Sequence, residues 1–213
     1  MLKSIIFDFD GVIIDSVDIK GDAFYELFAL EGSRLQKISK DYHYKNLGIS
    51  RYKKINYIID NYLKNKINNK EKYIKNFEKI VSHKINKCNF IYGIKNFLKN
   101  NYKKYDFFIS SATPSHELYD IVKKKKLSKY FINTLGSPNN KFQHIKYILK
   151  NYNYNNRELI FIGDTYNDYL AAKSYNIKFI AIRNKYEQFE SFKYVIDNFY
   201  NFENYLKKNL IYD

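Results

Sequence analysis

The chain has 213 residues but a single cysteine, Cys88, so it cannot close an internal disulfide. That suits a reducing compartment. Tryptophan is absent, and proline and glycine number only two and seven. Arginine is confined to positions 34, 51, 157 and 183, so nearly all of the +15 net charge is lysine. A surface that reads nucleic-acid phosphates would use more arginine forks. Lysine here accompanies abundant Asn, Ile and Tyr, the mixture of an AT-rich genome. Most of it is therefore expected to be solvated, with no nucleic-acid partner. The run Lys123 to Lys126 is expected to end a helix, where positive charge suits the dipole. No apolar run approaches the roughly 18 residues of a membrane span. The Met-Leu-Lys-Ser start precedes a strand-like run and not a signal sequence. A soluble, cytoplasmic protein without a membrane partner is expected. Oligomeric state stays open.

What is present is a set of short apolar runs. Ser4–Phe9, Asp106–Ser110, Phe131–Leu135, Glu158–Ile162, Lys178–Ile182 and Tyr194–Ile196 read as buried strands. Helix-period segments lie between them. Ile94, Phe97 and Leu98 share a face within 93–102. Leu118, Ile121 and Val122 do so within 114–126, with Pro114 at a plausible first helical position. Ile145, Ile148 and Leu149 mark 142–152, and Leu170 and Ala171 mark 166–175. Alternating strands and helices argue for a parallel sheet. The interval 15–89 breaks the pattern. Phe24, Leu27 and Phe28 recur at helical spacing, as do Ile55, Ile58 and Ile59, then Ile74, Phe77, Ile80 and Val81. Ser16 is a candidate cap, and the polar stretch 64–72 reads as a loop or helix start. The expected fold class is α/β, a Rossmann-like open, mainly parallel sheet with an inserted all-helical cap. Residues 1–14 and 90–213 would form the α/β domain and 15–89 the helical one.

The run IIFDFDGVIIDS (5–16) puts Asp8 and Asp10 at the end of the first apolar strand. In open parallel sheets ligands bind beyond the carboxyl ends of the strands. Two carboxylates on one side of a strand repel each other unless a cation or proton intervenes. The second strand ends in hydroxyls, Ser110-Ser-Ala-Thr113, before a helix N-terminus that suits a phosphate oxyanion. The fourth ends in Gly163-Asp164, with Asp168 one helical turn on. Lys141 opens a helix after the turn 136–140. Acids without a His/Cys cluster suggest Mg²⁺ as cofactor and not zinc. His43, His83, His116 and His144 are scattered and read as surface or packing residues.

The order D-x-D-G-V-x-x-D-S, a strand ending in serine, a lysine, then G-D-x-x-x-D resembles the haloacid dehalogenase superfamily, specifically the branch with a helical cap after the first strand. The resemblance implies that Asp8 is a nucleophile forming an aspartyl-phosphate, with Asp10 as general acid and base. Gly11, Ser111 and Ala112 would hold phosphoryl oxygens, Ser110 being the alternative to Ser111. Lys141 would balance charge, and Asp168 would orient it. Asp8, Asp10 (through its carbonyl) and Asp164 would bind Mg²⁺. Dehalogenases lack the acid at Asp10. The segment Gly48-Ile-Ser-Arg51 is similar to the cap loop of β-phosphoglucomutase-like members, in which the arginine meets a second phosphate. Those members carry a histidine near Lys20 and a glutamate at the place of Gly163, so phosphatase is preferred over sugar phosphomutase. Lys20, Arg51 and Tyr52 are the candidate substrate contacts on the cap. A small phosphorylated metabolite is expected as the partner. The opening stretch also resembles bacterial phosphatases encoded with surface-polysaccharide enzymes. A nucleic-acid-binding or silent regulatory protein on the same fold is the competing class; the intact acids, serine and lysine speak against the silent regulator, and tight, steeply salt-dependent DNA or RNA binding would mark the nucleic-acid binder.

Overall fold

The first strand, β1 (Ser4–Phe7), is buried along its whole length, and its apolar run carries no alternation. A strand covered on both faces reads that way. In the computed structural model, which describes residues 1–64, 69–189 and 192–209, β1 is central. It pairs in parallel with β2 (Asp106–Pro114) and β4 (Leu159–Gly163). β3 (Asn133–Ser137), β5 (Lys178–Ile182) and β6 (Val195–Ile196) complete the order β3-β2-β1-β4-β5-β6, all parallel. The chain first builds outward from β1 through β2 and β3, then returns to build the other half. The carboxyl end of β1 therefore lies at a topological switch point, where such sheets open a crevice for ligands.

Nine α-helices occur among the described residues: α1 (Val17–Leu27), α2 (Ser33–Lys45), α3 (Arg51–Tyr62), α4 (Lys70–Lys87), α5 (Ile94–Asn101), α6 (Ser115–Lys124), α7 (Lys141–Asn151), α8 (Tyr166–Ser174) and α9 (Phe202–Asn209). None is long and apolar enough to cross a membrane. The chain divides into two compact units, 1–15 with 89–213 and 16–88.

In the sheet-bearing unit, alternation along the strands supplies both faces. Ile6, Phe108, Phe161 and Phe179 pack with Ile145 and Ile148 of α7 and Ala171 and Ala172 of α8. Phe7 and Phe107 serve the opposite face. Their rings meet edge-on at 5.3 Å and join Phe97 of α5, Phe131, Phe199 and Phe202. Each such buried aromatic contributes about 2–3 kcal/mol of burial free energy.

The 16–88 unit holds no strand among its described residues. Phe24 and Phe77 pack at 4.6 Å, with Ile55, Ile58, Ile59, Val81 and Ile85 buried around them. Gly21 sits mid-helix because α2 comes close: a Cβ there would meet the Tyr44 hydroxyl at 2.3 Å and its ring at 2.5–2.9 Å. Ser16 takes the N-cap position of α1, where its carbonyl accepts from the Lys20 amide at 3.0 Å, without a side-chain cap to the helix. Within the polar stretch, Asn69 caps α4 by accepting from the Lys72 amide at 3.1 Å, while residues 65–68 lie outside the described residues.

Three strands differ from expectation by two residues or more. β2 runs on to Pro114 and does not stop at Ser110. Pro114 is therefore a strand residue ahead of α6 and not its first helical position. The extension is irregular: Ser110 pairs with Leu135 but Pro114 with Ser137, so four residues of β2 advance against two of β3. β3 lies two residues later than the apolar run suggests, and β1 ends at Phe7.

Candidate active site

One residue past the β1 ladder, the Asp8 amide still donates to the Ile162 carbonyl at 2.9 Å, so Asp8 keeps strand geometry at the sheet edge. The residue is 4% exposed. Oδ1 accepts from the Phe9 amide at 2.6 Å, and Oδ2 accepts from Lys141 Nζ at 2.7 Å. Lys141 also donates to Asp168 Oδ1. The other oxygen of Asp168 accepts from Thr165 Oγ1 at 2.6 Å and from the Thr165 amide at 3.2 Å. Thr165 in turn accepts from the Asp168 amide, closing a capping box at the start of α8. Local helix chemistry thus fixes Asp168, which fixes the lysine, which holds Asp8.

Asp164 directly follows β4 and is 1% exposed. Asn184, after β5, donates to its carbonyl at 2.6 Å and lies 3.4 Å from its Oδ2. Oδ1 is buried and has no hydrogen-bond partner. Asp8, Asp164 and Asp168 each present a carboxylate oxygen within 4.8 Å of the others, all buried.

Charge in this group is unbalanced. Burial, helped by Asp168 and Asp10 and opposed by Lys141, pushes the Asp8 carboxyl up to about 7. Burial and the neighbouring Asp8 and Asp168 hold Asp164 well above the usual carboxylate range. Burial pulls the Lys141 ammonium down, but the Asp168 and Asp8 carboxylates outweigh it and keep the lysine charged. One ammonium faces four carboxylates, counting Asp10. An orphaned anionic oxygen, hard oxygen donors and surplus negative charge fit a hard divalent cation. Asp8 and Asp168 each have both oxygens in hydrogen bonds, so the open acceptor is Asp164 Oδ1, with an Asp8 oxygen within 4.8 Å in the same cluster.

Asp10 lies at the rim, half-buried. Its Oδ2 accepts from Thr113 Oγ1 at 3.0 Å, and Ser111 Oγ lies 3.5 Å away, at the limit of a hydrogen bond. Ser111 Oγ also accepts from the Thr113 amide at 3.1 Å. Of the adjacent serines, Ser111 thus lies on the Asp10 side, whereas the Ser110 hydroxyl is taken by His144 at 2.9 Å. Gly11 departs from expectation. It adopts a left-handed φ of 77°, open to glycine, and its amide donates to the Ile14 carbonyl at 2.8 Å. The donor expected to face phosphate there is committed to the turn. Lys20, Arg51 and Tyr52 belong to the 16–88 unit. Lys20 lies on α1; Arg51 opens α3 with its guanidinium 5.0 Å from the Phe77 ring centroid; half-buried Tyr52 follows it.

Sequence reading gives no individual role to three neighbours of the site: Thr113, Asn184 and His144. Thr113 lay beyond the expected strand end, and Asn184 is one asparagine among many in an irregular segment. The only signal for His144 was its place one turn after Lys141.

The model of the haloacid dehalogenase-like hydrolases matches residues 5–182, taking in Asp8, Asp10, Ser111, Lys141, Asp164 and Asp168. The chain belongs to that family. Among solved structures, it is similar to a predicted phosphoglycolate phosphatase from Haemophilus somnus, with 15% identity, 96% of this chain and 97% of that one covered, and a TM-score of 0.76. It is similar to β-phosphoglucomutase from Clostridium difficile, with 21% identity, coverage of 98% and 97%, and a TM-score of 0.78. It is also similar to CbbY from Rhodobacter sphaeroides, solved with phosphate, with 13% identity, coverage of 93% and 95%, and a TM-score of 0.75. At these identities the likeness shows the fold. A search of the curated proteins finds no sequence match. As a haloacid dehalogenase-like hydrolase, the chain carries a phosphoryl-transfer type of architecture with an acidic cluster suited to a metal ion.

Proposed function

We propose that this haloacid dehalogenase-like hydrolase is a Mg²⁺-dependent phosphomonoester hydrolase of small phosphorylated metabolites. The observation that carries the reading is Asp8: buried at the switch point, held at 2.7 Å by Lys141, in one cluster with Asp164 and its unpartnered Oδ1.

In the first step an Asp8 carboxylate oxygen attacks phosphorus, and the bond to the leaving oxygen breaks. Asp10 gives that oxygen its proton, which makes it a neutral alcohol. In the second step Asp10, now a carboxylate, takes a proton from water. The water oxygen bonds to phosphorus, and Asp8 leaves as a carboxylate with inorganic phosphate released. Splitting one hard displacement into two is the benefit of a covalent intermediate. Lys141 offsets the charge that accumulates when one anion attacks another, and Ser111 with the Ala112 amide holds phosphoryl oxygens. A single donor of this kind is typically worth roughly 3 kcal/mol in the transition state. Magnesium, held by Asp8, Asp164 and the Asp10 carbonyl, would supply further neutralisation of the phosphoryl oxygens.

Hydrolysis is favoured over mutation of a sugar phosphate by Gly163. A Cβ at this position would lie 2.4 Å from Asp168 Cβ and 2.5 Å from its Cγ, so the mutase-type glutamate does not fit beside Asp168. Gly163→Ala is expected to displace Asp168 from Lys141 and to lower phosphate release by about 10²-fold. Kinetics at a temperature where circular dichroism shows the variant folded check this; an alanine variant of wild-type activity speaks against the Asp168–Lys141–Asp8 chain.

The preferred substrates are sugar, polyol or amino-alcohol phosphates of capsule or lipopolysaccharide synthesis, handled in the cytoplasm, with Lys20, Arg51 and Tyr52 as the candidate selecting side chains. A panel of such esters, assayed for released inorganic phosphate with Mg²⁺ and with EDTA, tests the reading. Hydrolysis of some members and none with EDTA is the expected result. Isomerisation without phosphate release would favour a mutase, and a flat, metal-independent profile would defeat the reading.

A further inference from the structure

His144 lies on α7 one turn beyond Lys141 and is 2% exposed. Its Nε2 is 3.1 Å from the Gly136 carbonyl oxygen, and its Nδ1 is 2.9 Å from Ser110 Oγ. A carbonyl only accepts, so Nε2 carries the proton and Nδ1 accepts from the Ser110 hydroxyl. One imidazole therefore joins three pieces of chain. Ser110 leads directly into Ser111, Ala112 and Thr113. Gly136 is the next-to-last residue of β3, just ahead of the turn that leads to Lys141. The helix bearing Lys141 bears His144 itself.

The junction has little slack. A Cβ at Gly136 would lie 2.6 Å from the Thr113 carbonyl oxygen and 2.7 Å from Ser115 Cα. The irregular stretch of β2 between Ser110 and Pro114 has lost the ladder that would otherwise fix it to β3. Something other than strand pairing must set where Ser111 and Thr113 stand relative to Lys141, and the imidazole spans that gap.

We infer that His144 is a positioning residue, which as the neutral Nε2–H tautomer holds the Ser111–Thr113 segment in register with Lys141. The inference rests on the reading of this site as a phosphoryl-transfer centre, because that reading assigns Ser111, Ala112 and Lys141 to the phosphate. His144 contacts no reacting atom. Its neutrality follows from its partners: protonation would make Nδ1 a donor against Ser110 and add a second cation near Lys141. Burial first, and Lys141 with it, push the imidazole down to about 4, against the opposing bond to Gly136.

Three proteins test this: the wild type, His144→Ala and His144→Gln. Glutamine keeps an amide N–H for the Gly136 carbonyl, and alanine keeps nothing. The inhibition constant of inorganic phosphate and the KM for an aryl phosphate are expected to rise about tenfold or more in His144→Ala, and most of the loss to be recovered in His144→Gln. An alanine variant, folded at the assay temperature, with wild-type phosphate inhibition overturns the inference, as does equal impairment of both variants. Nitrogen-15 spectra of the wild-type imidazole supply a readout independent of activity and of variant folding. The Nε2–H tautomer held from pH 8 to pH 5 supports the tether; the Nδ1–H tautomer, or titration near the ordinary value, overturns it. A wild type that shows the Nε2–H tautomer yet hydrolyses no ester refutes the functional reading and leaves the tether standing.

Discussion

Asp8→Asn is expected to reduce phosphate release by about 10⁴-fold or more, because the amide that replaces the carboxylate is no nucleophile. The loss should not come from unfolding. An asparagine keeps the shape of the side chain and one of the two acceptor oxygens by which Asp8 meets Lys141 and the Phe9 amide, at 2.7 and 2.6 Å. The substitution also removes one negative charge from a buried group in which Asp8, Asp10, Asp164 and Asp168 face a single ammonium. Without metal the variant should therefore melt no lower than the wild type. Paired assays of phosphate release and of thermal unfolding in EDTA check both halves. Residual activity above about 1% would remove Asp8 from the nucleophile's role. A large fall in melting temperature would show that its charge, not only its shape, holds the site together.

Lys141→Met carries the second large effect, and here stability is expected to fall with activity. The lysine is 5% exposed and lies between Asp8 and Asp168. Methionine fills the volume of the stem but leaves two buried carboxylates facing each other. Breaking a buried ion pair from one side typically costs about 3–5 kcal/mol. Part of that returns if one carboxylate takes a proton, the direction in which Asp8 already leans. Urea unfolding at neutral pH measures the loss, and phosphate release should fall about 10²–10³-fold. A stability change below about 1 kcal/mol would mean that the two carboxylates do not depend on Lys141.

The contrast between these residues and their neighbours shows what a sequence exposes. Asp8 and Asp164 follow the apolar runs of β1 and β4, so their place at the sheet edge could be read from patterning alone. Lys141 and Asp168 lie in the first turns of α7 and α8, and short strand-to-helix links leave such residues little freedom. The six parallel strands were legible for the same reason, since continuous apolar runs between helix-period segments have few other ways to bury themselves. What patterning cannot register is an interruption of the ladder. The four-against-two mismatch of β2 and β3 past Ser110 carried the strand to Pro114 and put Thr113 beside Asp10. Gly11 illustrates a second blind spot: a glycine marks a turn, but not which carbonyl its amide will meet. Helix α2 shows a third. It buries Leu35, Ser39 and His43, a stripe with one aliphatic residue, so no hydrophobic period announces it. Ser39 donates to the Phe24 carbonyl at 2.8 Å and His43 stacks on the Phe24 ring at 5.0 Å, which is polar packing of a kind that hydropathy misses.

The gathering of Asp8 and Asp164 around a cation is the claim on which the rest depends. Titration of metal-free protein with Mn²⁺, followed by electron paramagnetic resonance, measures it without a substrate. One ion bound per chain by the wild type, with affinity about 100-fold weaker or lost in Asp164→Asn, is the expected result. No binding by the wild type, or equal binding by the two proteins, would contradict it.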